Sequence, residues 1–186
     1  MKIKFVRKSF PYTGQELRHL FAYEKFGIAG ESMISWIGPC DIALNDMIDG
    51  EDKFENSIIR GGEMLHFVGE FFEPNIFFAV SLQRLFCAIC LEQLTIMKPD
   101  LLGKLVREGD DLYVGKNKLS ISIATIGHFS TMIHFAVNVT NEKTPVPTCA
   151  LKDFRINPEK FALNVLKKFQ TEYKSIVFAT QKVQGI

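Results

Sequence analysis

The stretch that most limits the fold runs from Gly109 to Val139, "GDDLYVGKNKLSISIATIGHFSTMIHFAVNV". Two of its segments alternate apolar and polar residues, and a period of two marks a strand, not a helix. Over 118–124, Leu119, Ile121 and Ile123 take one face, while Lys118, Ser120, Ser122 and Ala124 take the other. Over 132–139, Ile133, Phe135, Val137 and Val139 lie opposite Met132, His134, Ala136 and Asn138. If the segments pair as a hairpin with one buried side, their apolar faces must coincide, because a one-residue slip turns one set to water. Even-numbered residues are then predicted to face even-numbered ones, Ser122 against His134 and Lys118 against Asn138. The register gathers Lys118, Ser120, Ser122, His134 and Asn138 on one polar face. That face reads either as the solvated side of an antiparallel sheet or as the wall of an anion site. A lysine set between hydroxyls suits a carboxylate or phosphate.

The remaining chain supplies the partners of these strands. Residues 2–8 alternate and read as a strand. In "YTGQELRHLFAYEKFG", Thr13 and Glu16 have the spacing of a capping box, and Gly27 reads as the stop of a helix. "ESMISWIG" reads as a strand ended by Gly38-Pro39, and "IIRGGEMLHFVGEFF" as a glycine turn leading into a strand. A long apolar helix is predicted over 76–94, and a second opens with Asn157 as N-cap and Pro158 at its first position. Adjoining strands with helices grouped around them predict an α+β fold, a mixed, mainly antiparallel sheet with flanking helices, in one domain spanning 1–186. A βαβα alternation with a glycine-rich first turn is absent, which argues against a dinucleotide fold.

Charge and composition narrow the function classes. The net charge is +1, with no basic arm at either end, so neither a nucleic-acid partner nor a membrane surface is expected. "MKIKFVRKSF" lacks an apolar segment after its basic residues, and "NIFFAVSLQRLF" is interrupted by Gln83 and Arg84; a cytoplasmic setting is the expectation. Cys87 and Cys90 form a CxxC inside an apolar helix with no second ligand pair nearby, so they read as core and no metal site is predicted. "NDMIDGEDKFE" reads as an acidic surface loop, or, if it faces the site, as a receiver of Mg²⁺ or a cationic group. The 17 phenylalanines are core material and would also suit a homodimer interface.

The segment from Ile58 to Val139 resembles the catalytic domain of lipoate and biotin protein ligases, relatives of the class II aminoacyl-tRNA synthetases. "RGGEMLHFVGE" is similar to the ligases' glycine turn and the strand after it, "GDDLYVGKNKLSIS" to their lysine-bearing strand pair, and "IHFAVNV" to the strand paired with it. The whole chain more closely resembles an archaeal and bacterial family of unknown function. The ligase resemblance implies that Lys118 holds a substrate carboxylate and the α-phosphate of ATP during adenylation. It implies that Arg60, Gly61 and Gly62 lie against the acyl ligand, with His66 nearby, and that Asp111 contacts Mg²⁺ or the adenylate. ATP and Mg²⁺ are the cofactors so implied, and a small-molecule carboxylate or a nucleotide is the partner. Two departures count against turnover. Ile121 stands where the ligases have a glycine, and the glycine turn is shortened, with Glu63 after Gly62. A catalytically inactive ligand-binding or dimeric interaction protein of the same fold is the alternative.

Overall fold

The computed structural model describes residues 1–185. At its centre lies β3 (Ile59–Phe71), flanked by β2 (Ser32–Ile42) and β8 (Thr131–Asn138), both antiparallel to it. β1 (Lys2–Val6) adds to the outer side of β2 in parallel, and β7 (Ser120–Ile126) adds to β8 antiparallel, giving the order β1-β2-β3-β8-β7. A small second sheet holds β4 (Leu105–Glu108), β5 (Asp111–Val114) and β6 (Asn117–Lys118). The expected mixed, mainly antiparallel α+β architecture is therefore what the chain adopts.

Both faces of the large sheet are covered. One face, carrying Met33, Leu65, Phe67, Phe71, Ile133, Phe135 and Val137, packs on α3 (Ile76–Met97) and α4 (Pro158–Gln181). Its centre is an edge-to-face cluster in which Phe86 meets Phe67, Phe135 and Phe169 at centroid distances of 5.0–5.4 Å. The other face carries Ile34, Trp36, Met64, Val68 and Ala136, and is roofed by Tyr12, Phe21 and Ala22 from the N-terminal segment. By length and composition α3 could cross a membrane, Gln83 and Arg84 notwithstanding. Here its buried side packs on β7, β8 and α4.

Four local expectations are corrected. The helix expected after Thr13 forms only as α1 (Phe21–Phe26), although Glu16 Oε2 does accept from the Thr13 backbone N–H at 2.8 Å. Tertiary contact overrides the helical pattern, because Leu20 adopts a left-handed φ of 61° and gives its N–H to the buried Glu70 carboxylate. Second, β2 does not end at Gly38-Pro39 but passes through a bulge between Gly38 and Cys40. Third, "RGGE" is not a turn; Arg60 and Gly61 pair with Asp41 and Cys40 inside β3. Fourth, "NKLSISIAT" is not one strand, since Lys118 belongs to the small sheet and Ser120 to the large one.

Gly38 is sterically obligatory. A Cβ there would lie 1.9 Å from the Phe10 carbonyl oxygen, the same oxygen that accepts from Trp36 Nε1. A backbone atom cannot swing aside as a side chain can. Gly38→Ala is expected to cost on the order of 3 kcal/mol, read as a lowered urea midpoint.

Candidate ligand cleft

The hairpin register differs from the expected one by one residue, and this reshapes the site. Ser122 stands opposite Phe135, Ser120 opposite Val137, and Ile123 opposite His134. The expected register supposed one wet face, but this sheet has none. The N-terminal segment needs apolar partners on its side, and Ile121 supplies one there. On the helix side the serines find hydrogen-bond partners. Ser122 Oγ donates to Asp110 Oδ2 (2.8 Å) and accepts from Gln83 Nε2 (2.8 Å), and Ser120 Oγ accepts from the Leu112 N–H (2.8 Å). Lys118, Ser120, Ser122, His134 and Asn138 therefore do not share one strand face.

They still meet at one cleft. At the β7 edge, the large sheet, the small sheet and the 42–60 segment enclose a cavity of about 380 Å³. Seven of the ten expected site residues line it: Arg60, Asp111, Lys118, Ser120, Ser122, His134 and Asn138. Gly61, Gly62 and His66 lie outside its wall. Gly62 allows a close approach of another kind, since its N–H donates to Glu142 O at 2.8 Å and is not free for an anion.

Lys118 is placed by backbone pairing on both sides. Its N–H donates to Pro147 O, and its carbonyl accepts from the Cys149 N–H and from Asn138 Nδ2. Asn138 thus serves as a clasp, its amide also reaching Cys149 O at 3.2 Å. The Lys118 ammonium lies 2.7 Å from Asp111 Oδ2, both side chains mostly shielded. Burial draws the ammonium pKa down, but the Asp111 carboxylate outweighs this and holds it above the usual lysine value. For Asp111 burial wins over the pull of Lys118, and its pKa is pushed up to about 6. Its Oδ1 is buried without a partner, consistent with that penalty. Near pH 7 the pair is a partly desolvated ammonium–carboxylate contact with lysine donors left for a further acceptor. Arg60 sits at the rim, more exposed, its Nε 3.0 Å from Asp41 Oδ1.

Sequence reasoning underrated two features. The acidic segment faces the cleft, so that Asp46, Asp49, Glu51 and Asp52 join Asp110 and Asp111 in a wall whose basic side chains are Arg60 and Lys118. The Asp49 side chain caps α2 (Gly50–Glu55) at the N–H groups of Glu51 and Asp52. The second is Tyr12, which stacks on His134 with ring centroids 3.7 Å apart and an interplanar angle of 9°. Nothing in the local sequence marks Tyr12, because its partner is 122 residues away. His134 Nε2 lies 3.1 Å from His66 Nδ1, and His66 Nε2 lies 3.1 Å from Gly38 O. Burial depresses both pKa values, His66 to about 4 against the pull of the Gly38 carbonyl, and His134 well below the usual histidine value, with His66 adding to the effect.

Residues 1–184 match the family described as a domain of unknown function, DUF366. The chain belongs to this family. An uncharacterised protein of Methanocaldococcus jannaschii is 34% identical over 147 residues, which are 76% of this chain and 65% of that protein. The chain therefore spans just under two thirds of that relative. A protein of unknown function from Pyrococcus horikoshi superposes with a TM-score of 0.90 at 32% identity, over 99% of both chains. Biotin protein ligase from Aquifex aeolicus, in complex with biotin and ATP, superposes at 0.59 and 11% identity, over 93% of this chain and 70% of the ligase. A putative lipoate protein ligase from T. acidophilum with bound lipoic acid superposes at 0.52 and 14% identity, over 92% and 86%. The DUF366 fold is thus that of the biotin and lipoate ligase catalytic domains, as the resemblance implied. Identities this low carry the fold alone.

Proposed function

We propose that the cleft binds a small carboxylic acid, with Lys118 receiving its carboxylate. The observation that carries this reading is the Lys118–Asp111 pair in the cleft wall, a mostly shielded ammonium fixed at 2.7 Å from its counter-ion with donors to spare. Asp111 orients the ammonium, Asn138 holds the Lys118 backbone, and Arg60 at the rim adds a second cation toward the entrance. Ser120 and Ser122 stiffen the strand edge beneath. Neighbours of the same fold carrying biotin or lipoic acid support an acid of that size.

Adenylation with ATP is the second reading, favoured by the acidic segment at the cleft, since carboxylates are the ligands Mg²⁺ takes. The residues fit that group poorly. Among the described residues no three His, Cys, Asp or Glu side chains converge on a metal position. Ile121 stands on the cleft side, where a glycine would give backbone room for phosphates. Binding without a metal-assisted step is therefore the favoured reading.

A thermal-shift panel of octanoate, lipoate, biotin, amino acids and ATP–Mg²⁺ tests the reading. An acid at a hundredfold excess over its Kd stabilises by about 2.7 kcal/mol, a rise of roughly 5–10 °C for a chain of this size. If no acid raises the midpoint, the reading fails. Pyrophosphate released from ATP with a bound acid would establish adenylation over binding alone.

A further inference from the structure

The hydrogen-bond chain beneath the cleft fixes which proton His134 carries. The Gly38 carbonyl can only accept, so His66, 3.1 Å away, must hold its proton on Nε2. His66 Nδ1 is then a lone pair, and the neighbouring His134 Nε2 must be the donor across 3.1 Å. Burial keeps both rings neutral, so each has one proton to place. His134 Nδ1 is consequently an unprotonated acceptor. It has no hydrogen-bond partner among the described residues, yet it is not among the atoms sealed from solvent without one. His134 itself is 2% exposed and lines the cleft. Tyr12 covers one ring face at 3.7 Å, which prevents the imidazole from turning away.

Building on the proposed acid site at Lys118, we infer that His134 is a specificity-determining residue: its Nδ1 accepts a hydrogen bond from an N–H or O–H group on the bound acid. The ligand class narrows accordingly, to small carboxylic acids that carry a donor in addition to the carboxylate. Plain fatty acids leave this buried acceptor unpaired, and an unpaired buried polar group is what a site discriminates against most strongly. The cleft's charge sharpens the class. Six carboxylates line it against two cations, and both cations already have carboxylate partners. The donor therefore belongs to a neutral or cationic group, an amide, ureido, hydroxyl or ammonium, and a second acid group is excluded.

Two measurements test this, one needing no ligand. In ¹⁵N-histidine spectra of the full chain at pH 7, His134 is expected to show a protonated Nε2 and an unprotonated Nδ1. A proton on Nδ1 overturns the inference. In titrations, ω-amino and ω-hydroxy acids and biotin are compared with unsubstituted acids of matched length. The donor-bearing acids are expected to bind at least tenfold more tightly, and His134→Phe, which preserves the stack with Tyr12, is expected to reduce that preference to within twofold. Equal affinities in the native chain, or a preference that survives in His134→Phe, overturn the inference while leaving the Lys118 reading intact. Failure of every acid to bind overturns both.

Discussion

Replacing Glu70 with alanine is expected to lower the unfolding free energy by about 3 kcal/mol. Glu70 is 6% exposed and gathers three donors: the Leu20 N–H (3.0 Å), Ser130 Oγ (2.7 Å) and the His19 ring at 2.7 Å. Hydrogen bonds to a charged group contribute about 1.5–3 kcal/mol each, and buried donors left unpaired add about 1–3. His19 is partly exposed and can turn to water, which limits the loss. Because this carboxylate holds Leu20 in its left-handed conformation, its removal also loosens the roof that carries Phe21 and Ala22 onto the second core. Glu70→Gln keeps an acceptor oxygen in place and is expected to cost about half as much. Urea unfolding of both variants, monitored at Trp36, makes the comparison. A loss below about 0.5 kcal/mol in Glu70→Ala would show that the latch contributes nothing.

The second large effect is a fall in stability on acidification. His66 and His134 have folded pKa values below the unfolded value of about 6.5. Below that pH the unfolded chain takes up protons that the folded chain refuses. The stability these rings contribute is therefore present above about 6.5 and is lost as pH falls toward 4, the folded value of His66. For the His66 shift, the loss between pH 7 and pH 5 is about 2 kcal/mol, and His134 adds to it in the same direction. Asp111 works in the opposite direction. Its folded pKa is raised to about 6, so its contribution is present below the unfolded value and lost as pH rises through 6. Moving from pH 7 to pH 5 restores about 1 kcal/mol through that group. The net expectation is a loss of about 1 kcal/mol or more between pH 7 and pH 5, measured as unfolding free energy in buffers of equal ionic strength. Asp111→Asn removes the offset and is expected to steepen the fall. A stability that is flat from pH 7 to 5 would mean that the histidines are not buried neutral.

Elements with a strong period were legible in the sequence. The alternation of 118–139 gave strands, the apolar run at 76–94 gave a long helix, and Asn157-Pro158 marked the start of the last one, where the Asn157 side chain accepts from the Lys160 N–H at 2.8 Å. Order and content together gave the α+β class. The register was not legible. It depends on whether the second sheet face is covered, and the cover comes from Tyr12, Phe21 and Ala22, far along the chain from β7 and β8. With both faces buried, alternation no longer distinguishes inside from outside, and local hydrogen bonding of Ser120 and Ser122 decides. The residues between Thr13 and Leu20 misled for a related reason. Their helical spacing is real, but a buried carboxylate from β3 competes for the backbone. Most of the candidate site survived the register change because the cleft lies at the β7 edge, where both sheet faces and the small sheet contribute to one cavity. The acidic segment and Tyr12 entered that cavity by tertiary placement alone.

The proposed role of Lys118 is tested most directly by calorimetric titration, at pH 7, of the acid that gives the largest thermal shift, against the native chain and Lys118→Ala. Removing the ammonium takes away the charge that receives the carboxylate and leaves Asp111 facing it. Affinity is expected to fall at least thirtyfold, about 2 kcal/mol, while the melting temperature of the unliganded variant shows that the fold persists. Binding that remains within twofold of the native value in Lys118→Ala would contradict the account.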